Sequence, residues 1–293
     1  MSEPHLSRRT FLRSAALGAA GITLGGWMEQ SGAAESPQPY GRFKMGLQSY
    51  TLRSFPLDDA LAKTKALGLT YWEAFPDHLP MTDDPKRLAE YRTKLRQAGV
   101  QLLAYGVVGF GSDAAANRRT FEFARAMGIR TLSADPSPDS FASLDELVRE
   151  YKINVAIHNH GPGARYSKIQ DVASAIRDRD PRIGACVDTG HYLHSGEDPD
   201  DAVRRFGRRT YGVHLKDVKG GRQFTELGKG DLALPRLLST LQDLDYQGVL
   251  ALEYEEHERD VIPYVEECLA ATRVAVKQVA ERKAQRKRDI PSP

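Results

Sequence analysis

The chain has 293 residues, 27% of them charged, and its 41 Lys and Arg nearly balance its 39 Asp and Glu, which gives a formal net charge of +2. A nucleic-acid-binding protein usually carries a strongly basic surface, so this balance argues against a nucleic-acid partner. The chain has only two cysteines, which excludes a disulfide-stapled scaffold, and a chain of this length can bury a core without disulfides.

The first 34 residues predict an export leader. The sequence SRRTFLR at residues 7–13 is a twin-arginine pattern, and the apolar run over residues 15–27 is too short to span a bilayer comfortably. Small residues at positions 32–34 offer a cleavage site before a Pro-containing linker at residues 35–42. We therefore expect a periplasmic protein, exported by the twin-arginine pathway, with no membrane span after leader cleavage.

Strand-like and helix-like segments alternate after this linker. The predicted strands cover residues 43–49, 70–75, 100–107, 131–134, 154–159, 183–188, 211–217 and 249–254. The predicted helices cover residues 57–67, 85–98, 114–127, 144–151, 167–177, 199–206, 234–244 and 263–285. Gly68, Gly99 and Gly128 are placed as helix C-caps. Asp231 and Ser143 are placed to cap helix N-termini.

This alternation predicts a single-domain α/β protein, a (β/α)8 TIM barrel over residues 43–290. Successive βα units without a second domain close most simply into a parallel barrel, and the mature length is close to the ~250 residues typical of that fold. An open doubly wound sheet is the alternative, but no Gly-rich phosphate loop follows the first strand. In the barrel, Cys186 faces the interior and Cys268 lies on an outer helix, so we expect both to be unpaired.

The last four predicted strands end in side chains that can bind a metal ion. Their carboxyl ends read IHNHG at 157–161, VDTGH at 187–191, VHLKD at 213–217 and LEYE at 252–255. Strand alternation turns one residue of each segment, together with His160, toward the barrel interior, where the catalytic groups of such barrels lie. The four residues are His158, Asp188, His214 and Glu253. A lone histidine at a strand end is more often structural, but four such residues on consecutive strands predict a metal site.

At these segments the chain resembles the xylose isomerase-like barrels, a family of sugar phosphate isomerases and epimerases, keto-sugar 3-epimerases and inosose dehydratases. The resemblance runs from GLQSY at residues 46–50 to LEYE at residues 252–255, which is nearly the whole mature chain. It implies that Asp188, His214 and Glu253 are metal ligands and that Glu253 also transfers a proton. It further implies that His191 contacts a substrate oxygen, and Glu73 matches a site-facing glutamate common in the family.

His158 is the main departure from that family pattern. Epimerases of the family usually carry a glutamate there, which is both a ligand and one of two opposed bases. With His158 the ligand set becomes two nitrogens and two carboxylates, which suits one Mn, Co, Zn or Fe ion better than Mg. An epimerase would then need His158 or His160 as its second base. Inosose dehydratases also present a histidine-rich segment at this strand.

The sequence therefore predicts a divalent-metal-dependent enzyme that abstracts the proton α to the carbonyl of a sugar or keto-sugar. The predicted catalytic groups are Glu253, His158 and Lys216, and the predicted substrate contacts are His160, His191, Glu73 and Lys216.

An isomerase or epimerase is the first hypothesis. A keto-sugar or inosose dehydratase, or a 3-keto-glycoside lyase, is the second. An endonuclease IV-like nuclease and a non-catalytic sugar binder are further alternatives. We expect a small sugar as partner, and an oligomer is compatible with the sequence.

Overall fold

The computed structural model describes residues 38–288 of the chain. The predicted leader and residues 35–37 of the predicted linker lie outside the described residues, so export stays a prediction. Residues 38–42 lead into the first strand, and Tyr40 is buried there with its hydroxyl accepting a hydrogen bond from Arg273 at 3.0 Å. Within the described range, no helix is both long enough and apolar enough to cross a bilayer.

Parallel strands close into a barrel, which confirms the predicted (β/α)8 TIM barrel. The strands of the described residues are β1 (Lys44–Gln48), β2 (Tyr71–Ala74), β3 (Gln101–Phe110), β4 (Thr131–Pro136), β5 (Asn154–His158), β6 (Ile183–Asp188), β7 (Thr210–Leu215), β8 (Asp217–Lys219), β9 (Gln223–Thr225) and β10 (Val249–Leu252). All except β8 and β9 form the barrel, and β10 pairs with β1 to close it, with Leu252 opposite Leu47. Because these eight strands are parallel, their carboxyl ends meet at one end of the barrel.

Helices follow the barrel strands and cover them from outside. They are α1 (Leu57–Ala66), α2 (Pro85–Ala98), α3 (Ala114–Met127), α4 (Phe141–Tyr151), α5 (Ile169–Ile176), α6 (Thr189–His194), α7 (Pro199–Phe206), α8 (Leu234–Asp243) and α9 (Ile262–Arg288). Gly99 and Gly128 end α2 and α3 in the left-handed conformation, with φ of 72° and 73°, as predicted for C-caps. The short helix α6 and the β8–β9 hairpin were not predicted.

The two predicted N-caps are wrong. Helix α4 begins two residues before Ser143, whose hydroxyl instead donates to the Ser140 carbonyl at 2.9 Å. Helix α8 has no side-chain cap, and the Asp231 carboxylate instead accepts the Gly221 N–H at 3.0 Å. Each of these short polar side chains forms a hydrogen bond to a different backbone group and does not cap the predicted helix. The position of such a residue in the sequence does not exclude this alternative.

The barrel wall has an apolar outer face and an inner face that is polar at the carboxyl ends of the strands. Leu47, Val187 and Leu252 belong to the hydrophobic core and are at most 1% exposed. The alternate side chains point inward, and among them Gln48 and Glu73 are also at most 1% exposed. Strands covered by helices are buried on both faces, so these inward polar groups lie inside the protein and not in bulk water.

Both cysteines are free and buried, which confirms the prediction that they are unpaired. Cys186 lies on β6 within the barrel, whereas Cys268 lies on α9, where its Sγ accepts the Leu227 N–H at 3.3 Å. Burial raises the pKa of both thiols, that of Cys268 to about 12. Both are therefore protonated, packed side chains at neutral pH.

One buried carboxylate, Asp217, holds the loop between β7 and α8. Its Oδ1 accepts the N–H groups of Val218 and Leu232, each at 2.9 Å, and its Oδ2 accepts those of Gly228 and Gly230 at 2.9 and 3.1 Å. Position 230 requires glycine, because a Cβ there would lie 2.3 Å from Oδ1. Burial raises the pKa of Asp217, and the four backbone donors offset part of that effect. The carboxylate thereby fixes the chain that leaves the carboxyl end of β7.

We expect Asp217→Ala to lower the free energy of unfolding by roughly 2–4 kcal/mol, because several buried backbone N–H groups lose their acceptor. Urea unfolding followed by circular dichroism measures this loss. Asp231→Ala is the matched control, since Asp231 is an exposed aspartate of the same loop and should cost less than about 1 kcal/mol. Equal losses in the two variants would show that Asp217 does not hold the loop.

Candidate active site

Four strand ends bring together the side chains that the sequence predicted as metal ligands. His158 ends β5, Asp188 ends β6, His214 lies one residue before the end of β7, and Glu253 directly follows β10. Each offers one nitrogen or carboxylate oxygen, and these four atoms all lie within 4.8 Å of one another. The residues are between 0% and 8% exposed. The carboxyl end of the barrel therefore contains one buried cluster of two imidazoles and two carboxylates, which we call the His–Asp–His–Glu cluster.

The two imidazoles of the cluster contact each other and both carboxylates. His158 Nε2 lies 3.1 Å from His214 Nδ1 and 3.3 Å from Asp188 Oδ2. His214 Nδ1 lies 2.9 Å from Glu253 Oε2 and 3.8 Å from Asp188 Oδ2. One ring nitrogen of each histidine therefore faces the same small volume as one oxygen of each carboxylate.

Lys216 places a buried ammonium group against both carboxylates. This residue directly follows β7 and is 4% exposed, and its Nζ lies 3.1 Å from Asp188 Oδ2 and 3.1 Å from Glu253 Oε2. The Nζ also contacts the Glu255 carboxylate. Although these distances define ion pairs, neither cluster oxygen accepts a hydrogen bond with acceptable angles from any described residue. Lys216 therefore offsets the charge of the carboxylates without satisfying their oxygen atoms.

Two polar side chains fix the strand ends that carry the cluster. The Asn159 amide exchanges two hydrogen bonds with the Asp188 backbone, donating to its carbonyl at 3.0 Å and accepting from its N–H at 2.8 Å. The Thr189 hydroxyl accepts the Lys216 N–H at 2.8 Å and donates to the Lys216 carbonyl at 2.6 Å. Asp188 Oδ1 accepts the His191 N–H at 2.9 Å and caps α6, which leaves Oδ2 for the cluster.

The electrostatic environment keeps the carboxylates ionised and His158 neutral. Burial lowers the pKa of His158 to about 3. Burial alone would raise the carboxyl pKa values, but the Lys216 ammonium and nearby imidazoles outweigh it, so the pKa of Asp188 falls well below its usual range and that of Glu253 falls to about 2. Burial would lower the pKa of Lys216 and of His214, yet the neighbouring anionic groups raise both above their usual values.

The donor set of the cluster fits a divalent metal ion. Asp188 Oδ2 and Glu253 Oε2 are buried oxygens without a hydrogen-bond donor in the described chain, and a buried carboxylate oxygen needs a compensating partner. Neutral imidazole and ionised carboxylate are the forms that bind metals, so His214, whose pKa is raised, would release its proton when a metal binds. The two carboxylates balance a charge of +2. Two nitrogens and two oxygens suit Zn, Fe, Co or Mn, whereas Mg prefers an all-oxygen shell.

Glu73 lies behind His214, on the side away from the cluster. It is fully buried, and its Oε1 lies 2.9 Å from His214 Nε2 and accepts a hydrogen bond from Gln48 Nε2 at 3.1 Å. The Glu73–His214 contact is an ion pair without hydrogen-bond geometry. Gln48 is held in turn, since its Nε2 also donates to the Gly106 carbonyl at 3.0 Å. This position does not support the predicted substrate contact and suits a residue that orients the His214 ring.

Two further predicted substrate contacts, His160 and His191, are partly exposed beside the cluster. The His160 ring centroid lies 4.5 Å from that of His158 and 5.5 Å from that of His191, which is 5.9 Å from the His158 ring. Burial lowers the pKa of His191, and its Nδ1 has no hydrogen-bond partner within the described range. Both imidazoles are therefore placed where a molecule bound at the cluster could meet them.

Three residues near the cluster were not predicted: His194, Phe224 and Glu255. Phe224 lies on β9, with its ring centroid 4.6 Å from His194, 5.9 Å from His191 and 5.6 Å from Lys216 Nζ. Glu255 contacts Lys216, and its position two residues after the last predicted ligand was a usable signal. No comparable signal existed for Phe224, because a three-residue strand is too short to leave a periodic pattern.

Comparison with known proteins gives a matching family and distant curated relatives. A family model described as "Xylose isomerase-like TIM barrel" matches residues 61–274. The inosose dehydratase of Clostridium botulinum is 26% identical over 132 residues, which cover 39% of this chain and 44% of that protein. The inosose dehydratase of Clostridium perfringens is 23% identical over 231 residues, which cover 69% of this chain and 75% of that protein. The first match thus spans less than half the length of that relative.

A solved structure shows the same fold. The structure described as IOLI protein with a binding zinc atom has a TM-score of 0.66 and 16% identity, covering 81% of this chain and 99% of that chain. At this identity the likeness concerns the fold alone. The family model, by contrast, matches well over half of the chain, and its span includes seven complete barrel strands and all four members of the His–Asp–His–Glu cluster. The chain therefore belongs to the xylose isomerase-like TIM barrel family.

Proposed function

We propose that this chain is a divalent-metal-dependent enzyme that removes the proton α to the carbonyl of a keto-sugar or keto-polyol and then eliminates a β-oxygen substituent. The observation that carries this proposal is the buried His–Asp–His–Glu cluster with the Lys216 ammonium against its two carboxylates. The relatives named inosose dehydratase support an elimination, because dehydration of such a compound is a β-elimination of water.

In this proposal, His158 Nε2, Asp188 Oδ2, His214 Nδ1 and Glu253 Oε2 hold the metal ion. When bound, a divalent ion polarises a substrate carbonyl and makes the neighbouring C–H bond more acidic. The zinc atom of the IOLI structure supports a metal in a barrel of this fold. The mixed nitrogen and oxygen donors favour Mn, Co, Zn or Fe over Mg.

Glu253 is the proposed base. Its lowered pKa, about 2, keeps it ionised at neutral pH, and it retains 8% exposure whereas Asp188 has none. The C–H bond breaks with its proton passing to Glu253, and the electron pair forms a C=C bond as the β C–O bond breaks. His160 donates a proton to the departing oxygen, which leaves as water or an alcohol, and His191 contacts a substrate oxygen. The Lys216 ammonium stabilises negative charge on the substrate oxygen.

A second candidate reaction shares the first step with this elimination. After Glu253 takes the α-proton, an imidazole could return a proton to the opposite face or to the neighbouring carbon, which is epimerisation or isomerisation. The specific observation in its favour is the His158–His160 pair, whose ring centroids are 4.5 Å apart. His160 is partly exposed and could supply the second acid–base group that the family's epimerases take from a glutamate.

Export is part of the proposal. The twin-arginine pattern at residues 7–13 would carry a folded protein to the periplasm, where the candidate active site would meet a free sugar or glycoside.

The reaction can be tested with metal-loaded protein, a panel of 3-keto-glycosides, keto-sugars and inososes, and proton NMR in deuterated water. We expect loss of the β-substituent and the appearance of enone signals. Deuterium uptake with a change of configuration and no elimination would replace our first candidate with the second. If no substrate exchanges its α-proton, with or without added Mn, Co, Zn or Fe, the proposed chemistry is wrong.

Substitutions of His158 test its predicted role as a ligand. His158→Ala should lower the metal content of the purified protein and reduce turnover by at least about a hundredfold, because one of four donors is lost. His158→Glu should retain metal but react more slowly, since its added negative charge opposes the negative charge that develops on the substrate. His257→Ala, which changes an exposed histidine outside the cluster, is the control for both elemental analysis and rate. Full metal content and full activity in His158→Ala would make His158 structural.

The position of Glu73 predicts an effect on metal affinity. Glu73→Gln removes the charge that faces His214 Nε2 while keeping the side-chain shape, and we expect about 10- to 100-fold weaker metal binding in a competition titration with a chelator. Glu90→Gln, which changes an exposed glutamate on α2, should leave the metal affinity unchanged. If Glu73→Gln leaves the metal affinity unchanged and raises only KM, Glu73 contacts the substrate, as the sequence predicted.

A further inference from the structure

A cavity opens at the end of the barrel opposite the His–Asp–His–Glu cluster. Its volume is about 510 Å³. Its lining includes the first residues of five barrel strands, β1, β4, β5, β7 and β10, and therefore lies at the amino ends of the strands. The size is within the range of small-molecule sites, roughly 300–1,000 Å³. We call it the basal cavity.

An apolar layer separates the basal cavity from the His–Asp–His–Glu cluster. Ala104 and Val249 line the cavity and pack with Ala251 in a small hydrophobic cluster inside the barrel. Ala251 lies opposite His214 in the pairing of β10 with β7, one level above Val249 in the inward row. The cavity is therefore not an extension of the candidate active site.

Three cationic side chains line the basal cavity: the partly exposed Lys44 and the exposed Arg130 and Arg208. Within residues 38–288, the salt bridges include no carboxylate partner for any of the three. The one carboxylate in the lining, Asp245, is paired with Arg42, and the Lys44 ammonium donates to the Gln247 carbonyl at 2.8 Å. The cavity thus has an excess of positive charge that this part of the chain does not neutralise.

A buried hydroxyl in the lining also lacks a partner. Thr210 is 6% exposed, and its Oγ1 forms no hydrogen bond with any residue that the structure describes. Leaving a buried hydroxyl unpaired costs free energy, so such a group calls for an acceptor. The nearly buried Thr131 and the Asn154 amide add further hydrogen-bonding groups to the same lining. Cations together with hydroxyl and amide donors are the groups that bind an oxyanion.

We propose that the basal cavity binds a small molecule through a phosphate group. A monocarboxylate has one negative charge, which a single arginine fork can satisfy, whereas phosphate carries between one and two charges near neutral pH and accepts hydrogen bonds on several oxygens. Three cations from separate strand ends and loops, with the Thr210 hydroxyl, match a phosphate better. The volume leaves room for an organic group attached to it.

Calorimetric titration of the metal-loaded full chain with inorganic phosphate, at low ionic strength, tests this site. We expect one saturable site whose affinity falls as NaCl is raised, and weaker binding of acetate. The double variant Arg130→Gln/Arg208→Gln should weaken phosphate binding by about tenfold or more, with metal content and turnover unchanged. Arg222→Gln, a change to an exposed cation in the β8–β9 hairpin, should bind phosphate as the unchanged chain does.

Two further variants separate this site from the metal centre and from effects on folding. Thr210→Val should weaken phosphate binding without lowering the thermal midpoint measured in the absence of phosphate, because the hydroxyl it removes has no partner among the described residues. Asp188→Asn should lose metal yet keep phosphate binding. The proposal is overturned if the full chain binds no phosphate at millimolar concentrations, if Arg130→Gln/Arg208→Gln binds it unchanged, or if Asp188→Asn alone abolishes binding.

Discussion

Charge compensation among buried groups is the constraint on which the carboxyl end of the barrel depends. Asp188 and Glu253 are almost inaccessible to water, and each is tolerated because the Lys216 ammonium lies 3.1 Å from one of its oxygens. Breaking such a buried pair typically costs about 3–5 kcal/mol, since the remaining charge loses its partner. His214 adds to this balance between Glu73 and Glu253. The site is therefore one coupled electrostatic unit.

Uncharged hydrogen bonds give this unit its shape. Asn159 forms two hydrogen bonds to the backbone of a neighbouring strand end and Thr189 forms three, so that Asp188 and Lys216 cannot shift independently. Asp217 holds the chain that follows Lys216 through four backbone N–H groups. Rigid support of this kind lets charged groups keep a fixed position relative to a substrate, which is the source of most electrostatic stabilisation in enzymes.

The two ends of the barrel differ in chemistry because parallel strands place their carboxyl-terminal residues at one end and their amino-terminal residues at the other. At the carboxyl ends, the inward side chains include carboxylates, imidazoles, the Gln48 amide and the Lys216 ammonium. At the amino ends, the lining of the basal cavity is cationic and includes the unpaired Thr210 hydroxyl. The small apolar layer of Ala104, Val249 and Ala251 lies between them. A single barrel can thus keep the His–Asp–His–Glu cluster and the basal cavity apart.

The amino-acid sequence by itself determined the barrel and the four members of the His–Asp–His–Glu cluster. Hydrophobic segments alternating with helical segments specify parallel strands, and the two-residue period of a strand decides which side chains face inward. Those rules are local, so His158, Asp188, His214 and Glu253 could be identified without coordinates. Helix ends were less predictable, because a short polar side chain such as Ser143 can bond to several nearby backbone groups.

Only the tertiary structure decided which groups surround the cluster and the basal cavity. Glu73 contacts His214 from a strand 141 positions earlier. Phe224, on a short hairpin, lies beside His191 and His194. Lys44, Arg130 and Arg208 share one cavity although no local pattern connects them. Such contacts depend on barrel closure and on the packing of loops, and both place residues together that are distant in the chain. Local periodicity carries no information about those distances.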